Sequence, residues 1–163
     1  MTYIKLIFTA VFWGGTFIAG KLLSQNVDPY SAAFLRFLIA SFFLVFLTIR
    51  IEGSLPKLKP DKIFIMFLLG LSGIFFYNLF FFSGLKYIQA NQASLIIATN
   101  PIFITISSAL FFKESLNLIK TVGLCLSFTG ALIVISNGNI FDVLNLRLGK
   151  GELLIFGCVA SWV

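Results

Sequence analysis

Apolar residues fall in five long runs, at residues 6–23, 32–49, 63–85, 93–112 and 118–136, and a sixth begins at Leu153. The five are 18, 18, 23, 20 and 19 residues long. At ~1.5 Å of rise per residue, each is long enough for a helix to cross a hydrocarbon core of ~30 Å. The sixth reaches Val163 after 11 residues, roughly half a crossing. Outer-membrane strands alternate over about ten residues instead of running continuously apolar. The pattern therefore predicts an all-α integral membrane protein with five complete transmembrane helices and the start of a sixth. The links are short and carry helix stops and turn signals: Asp28-Pro29, then Pro56 and Pro60, then Asn137-Gly138-Asn139.

The run at 93–112 is not uniformly greasy. Asn91, Ser94, Ala98, Pro101, Thr105 and Ser108 recur at three- and four-residue spacing, which on a helix makes one small or polar stripe. Asn100 lies off that stripe by about 100°. Pro101 removes an N–H and clashes with the carbonyl four residues back, that of Ile97, so a bent helix is predicted. Hydroxyls and an amide at bilayer depth face protein or a water-filled cavity rather than lipid. This helix is expected to line a passage.

Composition agrees. The chain is 59% hydrophobic and 11% charged, with a mean hydropathy of +1.03, which excludes an ordinary soluble domain. The net charge of +6 does not point to nucleic acid, because the cations stand singly at the ends of apolar runs, as topology signals do. With the N-terminus inside, the inside positions are Lys5, Arg50, Lys57, Lys59, Lys62, Lys113 and Lys120. The outside ones are Lys21, Lys86, Arg147 and Lys150, and Arg36 falls within a span. Seven against four favours a cytoplasmic N-terminus. There is no His, and the two cysteines, Cys125 and Cys158, sit in apolar runs without a CxxC. Zinc and haem sites are not expected, and the thiols read as inert. No Asp or Glu lies inside the five runs, so this stretch encodes no carboxylate proton relay. No nucleophile–base pair, metal cluster or phosphate loop appears, which predicts neither enzyme chemistry nor a cofactor.

An internal repeat adds an architecture. Leu6-Ile7-Phe8 recurs 148 residues later as Leu154-Ile155-Phe156, and Trp13 recurs 149 later as Trp162. After five spans the second copy would enter the membrane from the opposite side, as in five-plus-five inverted-repeat transporters with a site near the midplane. The expected division is a first repeat at 4–136, an extramembrane connection at 137–150 and the truncated start of a second repeat at 151–163. The alternatives are a single-repeat subunit pairing antiparallel with a second subunit, and a non-transporting membrane scaffold.

Several residues in order also carry a family likeness: Phe12-Trp13-Gly14-Gly15-Thr16-Phe17 with Lys21, Pro29, Arg36-Phe37, Tyr87-Ile88-Gln89-Ala90, Ala93-Ser94-Leu95-Ile96, Pro101, Lys113-Glu114, and Gly123 through Gly130-Ala131-Leu132-Ile133. Over about residues 4–136 the chain resembles the EamA type of the drug/metabolite transporter superfamily. The resemblance implies ten helices in two inverted repeats around a central cavity, moving small metabolites or amphipathic compounds across a bacterial inner membrane. Its partners are then the bilayer, a small-molecule substrate and the second half or a second subunit, with no nucleic acid.

The candidates for the substrate cavity are Trp13, Arg36, Tyr77, Asn78, Ser94, Thr99, Asn100, Pro101 and Thr105, with spans one, three and four as its walls. Each has a plainer reading. Arg36, the one charge well inside a span, can snorkel, cap a neighbour's helix-end carbonyls or meet an anionic group. Tyr77 and Asn78 can hydrogen-bond between helices, Trp13 can simply pack, and Asn91 and Gln92 can cap a helix start. Lys21 and Lys86 read as snorkelling anchors, and Glu114 as a partner for Lys113 or Lys120. Gly14, Gly70, Gly73, Gly123, Ser127 and Gly130 are expected at helix-packing faces.

Overall fold

The computed structural model describes residues 2–56, 59–113, 117–135 and 149–163. All regular elements among them are helical: α1 (Thr2–Asn26), α2 (Pro29–Glu52), α3 (Pro60–Gly70), a π-helical turn (Leu71–Phe76), α4 (Tyr77–Leu85), α5 (Ala90–Ile97), α6 (Asn100–Phe112), α7 (Leu118–Ile135) and α8 (Lys150–Trp162). Four stretches are long and apolar enough to cross a membrane: Thr2–Asn26, Pro29–Glu52, Pro60–Leu85 and Ala90–Phe112. Much of their apolar surface points outward, with Phe42 and Phe111 71% and 81% exposed. Lipid accepts such faces and water does not; the chain is a multi-pass membrane protein.

Local chemistry sets the boundaries. Asp28 caps α2 by accepting from the Tyr30 N–H at 3.0 Å, with Pro29 pre-set at the first helical position. Gly53, at φ 77°, closes the same helix by donating its N–H to the Ile49 carbonyl. At α5 the cap is Gln89, whose backbone N–H donates to the Gln92 side-chain oxygen at 3.3 Å. The Asn91 side-chain oxygen accepts from the Gln92 N–H at 2.9 Å.

The buried centre is small and lies where α4, α5 and α8 meet: Phe81, Phe82, Leu85, Ala93, Ile96, Ile155, Cys158 and Val159. The half-crossing expected from Leu153 is thus an integral packing element. α8 runs antiparallel to α4, with Gly151 against Ile88, Ile155 against Gly84, Gly157 against Phe80 and Trp162 against Tyr77. α1 runs parallel to α4, with Phe17 against Phe81 and Lys21 at the Leu85 carbonyl. α1 and α8 therefore point in opposite directions.

Three expectations change. The fourth span is not one bent helix but two, α5 and α6, separated at Ala98–Thr99. The third contains a π turn, in which the Tyr77 N–H reaches the Ser72 carbonyl five residues back. The extra residue rotates everything after it, so Gly70, Gly73, Tyr77 and Gly84 do not share the single face that a straight helix would give them. A methyl group added at Gly14, Gly70, Gly73, Gly123 or Gly130 would meet nothing within 4 Å. The close approaches occur at Gly20, Gly84, Gly151 and Gly157 instead. The connection expected at 137–150 lies outside the described residues up to 148, as does Glu114 with its expected ion pair.

Candidate functional site

Arg36 on α2 donates from Nη1 to the Asn78 side-chain oxygen at 3.1 Å. The Asn78 amide nitrogen donates to the Ile74 carbonyl at 2.8 Å, a carbonyl inside the π turn. One buried amide thereby meets a backbone group of the irregular turn and fixes the guanidinium. The Arg36 guanidinium carbon also stands 5.8 Å from the Phe37 ring centre. Around it Thr16, Ala19, Gly20, Leu23, Arg36 and Phe82 line an open cleft of about 330 Å³ between α1, α2 and α4. Of the readings open to Arg36, this is an interhelical contact to a side chain.

Tyr77 follows the π turn directly. Its ring stacks on Phe81 at 6.1 Å and 12°, and meets Trp162 at 5.7 Å. Its carbonyl accepts from the Cys158 thiol at 3.4 Å. Tyr77 is therefore packed between α4 and α8.

The break in span four is built from backbone and hydroxyl groups. The Ala98 N–H keeps the ordinary bond to the Ser94 carbonyl at 2.8 Å, but the Thr99 N–H shortens to the Ile96 carbonyl at 3.1 Å. The Thr99 hydroxyl donates to that same carbonyl. This skips the Leu95 carbonyl, and Pro101, lacking an N–H, offers nothing to Ile97. Asn100 opens α6, and its side-chain oxygen is buried with no hydrogen-bond partner among the described residues. Buried polar atoms nearly always have partners, which makes this one the least satisfied group of the site.

Beyond the break, the stripe faces α7. Pro101, Ile102, Ile104, Thr105 and Ser108 form one wall of an open cleft of about 430 Å³, and Lys120, Gly123, Leu124 and Ser127 form the other. The Thr105 hydroxyl is turned back to the Pro101 carbonyl at 2.7 Å. Gly123 and Ser127 thus border an opening rather than a tight helix contact. The polar candidates do not share one cavity: Arg36 belongs to the α1–α2–α4 cleft, whereas Pro101 and Thr105 belong to the α6–α7 cleft. Ser94 bonds within α5 to the Asn91 carbonyl at 2.8 Å. Trp13 points outward, 67% exposed.

Two contacts escaped the pattern reading. Lys21 does not snorkel; its ammonium donates at 2.7 Å to the Leu85 carbonyl, at the end of α4, where a helix terminus favours a cation. The register of α8 on α4 is carried by Gly84, Gly151 and Gly157, and their unequal spacing gives no motif. Among the described residues, no group of three or more His, Cys, Asp or Glu gathers as metal ligands do.

Residues 1–136 match the model of the EamA-like transporter family. The uncharacterized transporter YyaM of Bacillus subtilis is 31% identical over 160 residues, covering 98% of this chain and 52% of that protein. An uncharacterized transporter of Archaeoglobus fulgidus is 34% identical over 143 residues, covering 86% of this chain and 50% of that protein. The chain thus spans about half the length of these curated relatives. No solved structure matches it significantly.

Proposed function

The chain belongs to the EamA-like transporter family, and from that premise we propose that it forms one five-helix half of a secondary transporter working by alternating access. In this reading 4–136 is the first repeat, with α7 as its fifth span, and α8 opens an inverted second repeat. The N-terminus is cytoplasmic and the membrane is the inner or plasma membrane. The cargo is a small metabolite, amino acid-like or amphipathic. Arg36 and Lys120, each bordering a cleft, favour one that carries a carboxylate. Transporter-named relatives and the lack of a catalytic constellation in the sequence support transport over enzymatic chemistry.

The observation that carries the reading is the break in span four. Irregular backbone at membrane depth is tolerated where it is buried in protein or lines a water-filled cavity, and discontinuous helices of this kind form substrate sites in secondary transporters. Asn100, with its unpartnered buried oxygen, is the group best placed to answer to cargo. Flux of a metabolite panel into proteoliposomes tests this. Asn100→Ala and Thr105→Val, the second in the α6–α7 cleft, are expected to lower transport at equal membrane levels. Unchanged flux in both variants refutes the cavity assignment.

A further inference from the structure

Arg36 carries its charge beside a neutral partner. A guanidinium is a flat fork of N–H donors, and among the described residues the one acceptor it meets is the Asn78 side-chain oxygen, at 3.1 Å. Beyond that contact Arg36 is exposed, bordering the cleft between α1, α2 and α4. No Asp or Glu lies inside the five apolar runs. The nearest acid in sequence, Asp28, is about two turns away and accepts the Tyr30 N–H. A cation at membrane depth without a counter-charge is costly. We propose that this cleft binds a small carboxylate with an apolar body and no amino group, seated on the open edge of the Arg36 guanidinium.

The seat is held in place. Arg36 Nη1 is tied to Asn78, and the Asn78 amide nitrogen is tied at 2.8 Å to the Ile74 carbonyl of the π turn. The Phe37 ring centre lies 5.8 Å from the guanidinium carbon. A fork fixed in this way offers a planar carboxylate two parallel N–H···O bonds at little ordering cost. Depth selects the source of the oxyanion. Arg36 lies seven residues after Pro29, where α2 begins, and Asn78 seven before Leu85, where α4 ends. Those two ends are on the same side of the bundle, and the guanidinium is ~10 Å from either. A phospholipid phosphate stays in the headgroup layer, so the level of Arg36 suits a molecule that enters the cleft whole.

The walls select the rest of the ligand. Ala19, Gly20, Leu23 and Phe82 are apolar, and Thr16 is the one further polar side chain lining the cleft among the described residues. The Thr16 hydroxyl donates to the Phe12 carbonyl at 3.0 Å. An α-amino group would enter as an ammonium with no carboxylate to meet it, and an unpaired charge out of water is heavily penalised. An aliphatic body suits the same walls, and the volume of about 330 Å³ accommodates a short one. The ligand's passage across the membrane rests on the transport reading above, which this narrows from amino acid-like or amphipathic cargo to plain carboxylates; its binding does not.

Three matched ligands test the site. The gene product, expressed to its natural stop codon, is placed in phosphatidylcholine nanodiscs and titrated calorimetrically with 4-methylpentanoate, with leucine, which adds the ammonium, and with 4-methylpentanamide, which removes the charge. The acid is expected to bind at least about tenfold more tightly than either analogue. Arg36→Gln and Arg36→Lys should each weaken it by about tenfold, the second by losing the fork while keeping the charge. Lys86→Met, at an exposed lysine, should leave it unchanged. The ligand comparison needs no variant, so it decides even where Arg36→Gln does not fold. Equal binding of leucine or of the amide overturns the proposal, as do binding of none of the three and full affinity in Arg36→Lys. Loss of the acid when phosphatidylglycerol replaces phosphatidylcholine also overturns it, since a lipid phosphate then holds Arg36. Flux of the acid into proteoliposomes is read separately. Binding without flux upholds the site and removes the transport reading; transport with no preference for the acid overturns the site and leaves transport standing.

Discussion

Gly84 is where the α4–α8 contact is tightest, and Gly84→Ala gives it a measurable stability. The new Cβ would sit 2.7 Å from Cδ1 and 2.8 Å from Cγ1 of Ile155, and 3.2 Å from the Gly151 carbonyl oxygen. Rotating the end of Ile155 relieves the first contact. The second lies near the root of the side chain and the third is backbone, and Gly151 is itself wedged against Ile88 and Tyr87. The helices must therefore separate slightly. Overpacking of this kind costs about 1–3 kcal/mol, and with lipid as solvent no water-driven burial compensates between helices. At tenfold per 1.4 kcal/mol, the population with α8 undocked rises ~5- to 150-fold. Cys158 reports it, being fully buried on the face of α8 that packs against α4, whereas Cys125 is exposed. The maleimide labelling rate of Cys158 in mild detergent, divided by that of Cys125, should rise by that factor through local opening. Adding Ile155→Val, which removes Cδ1, should recover part of the loss. An unchanged ratio in Gly84→Ala would refute the seating of α8 on α4.

Asn78→Leu removes the Arg36 acceptor and the donor to Ile74 together; a charge-assisted hydrogen bond lost in a buried setting costs ~1.5–3 kcal/mol, seen as a lower melting temperature in detergent. Lys21→Met withdraws the cation from the Leu85 carbonyl and should destabilise by a similar ~1.5–3 kcal/mol, whereas Lys86→Met, a change at an exposed lysine, should leave melting unchanged. Asn100→Ala should lower proteoliposome flux while leaving the melting of the described helices unchanged, since among the described residues its side-chain oxygen has no partner to lose. Pro101→Ala restores an N–H within reach of the Ile97 carbonyl, so hydrogen-exchange protection around Thr99 should increase while flux falls.

Hydropathy and spacing made the spans legible because their boundaries are local matters: Asp28-Pro29 caps, Gly53 terminates, and Pro101 disrupts whatever it packs against. The same logic stops at contacts that depend on a partner helix. Nothing local distinguishes Gly84, in tight contact with Ile155, from Gly73, which faces open space; only the placement of α8 does. Lys21 read as an anchor because a lysine at a span end usually reaches for the interface, and the Leu85 carbonyl that captures it lies 64 residues away. The π turn was invisible for a related reason. Its sequence, Leu71-Ser72-Gly73-Ile74-Phe75-Phe76, is compatible with an ordinary helix, and the Asn78 amide that meets its Ile74 carbonyl lies beyond it.

The two irregular spans show how such a membrane protein separates shape from function. Each departure from α-helical bonding frees backbone groups that the bilayer cannot solvate. In span three Asn78 absorbs the consequence, bonding the Ile74 carbonyl with one end of its amide and Arg36 with the other. In span four Thr99 does part of the same, sending both its N–H and its hydroxyl to the Ile96 carbonyl. The oxygen of Asn100, one residue later, is left over. On the two-repeat reading proposed above, that oxygen, next to a proline that holds the helix open and without a partner among the described residues, is met by cargo or by the facing repeat. Two flux measurements separate these. If cargo is the partner, Asn100→Ala raises the substrate concentration needed for half-maximal transport. If the facing repeat is the partner, Asn100→Ala lowers the maximal rate and leaves that concentration unchanged.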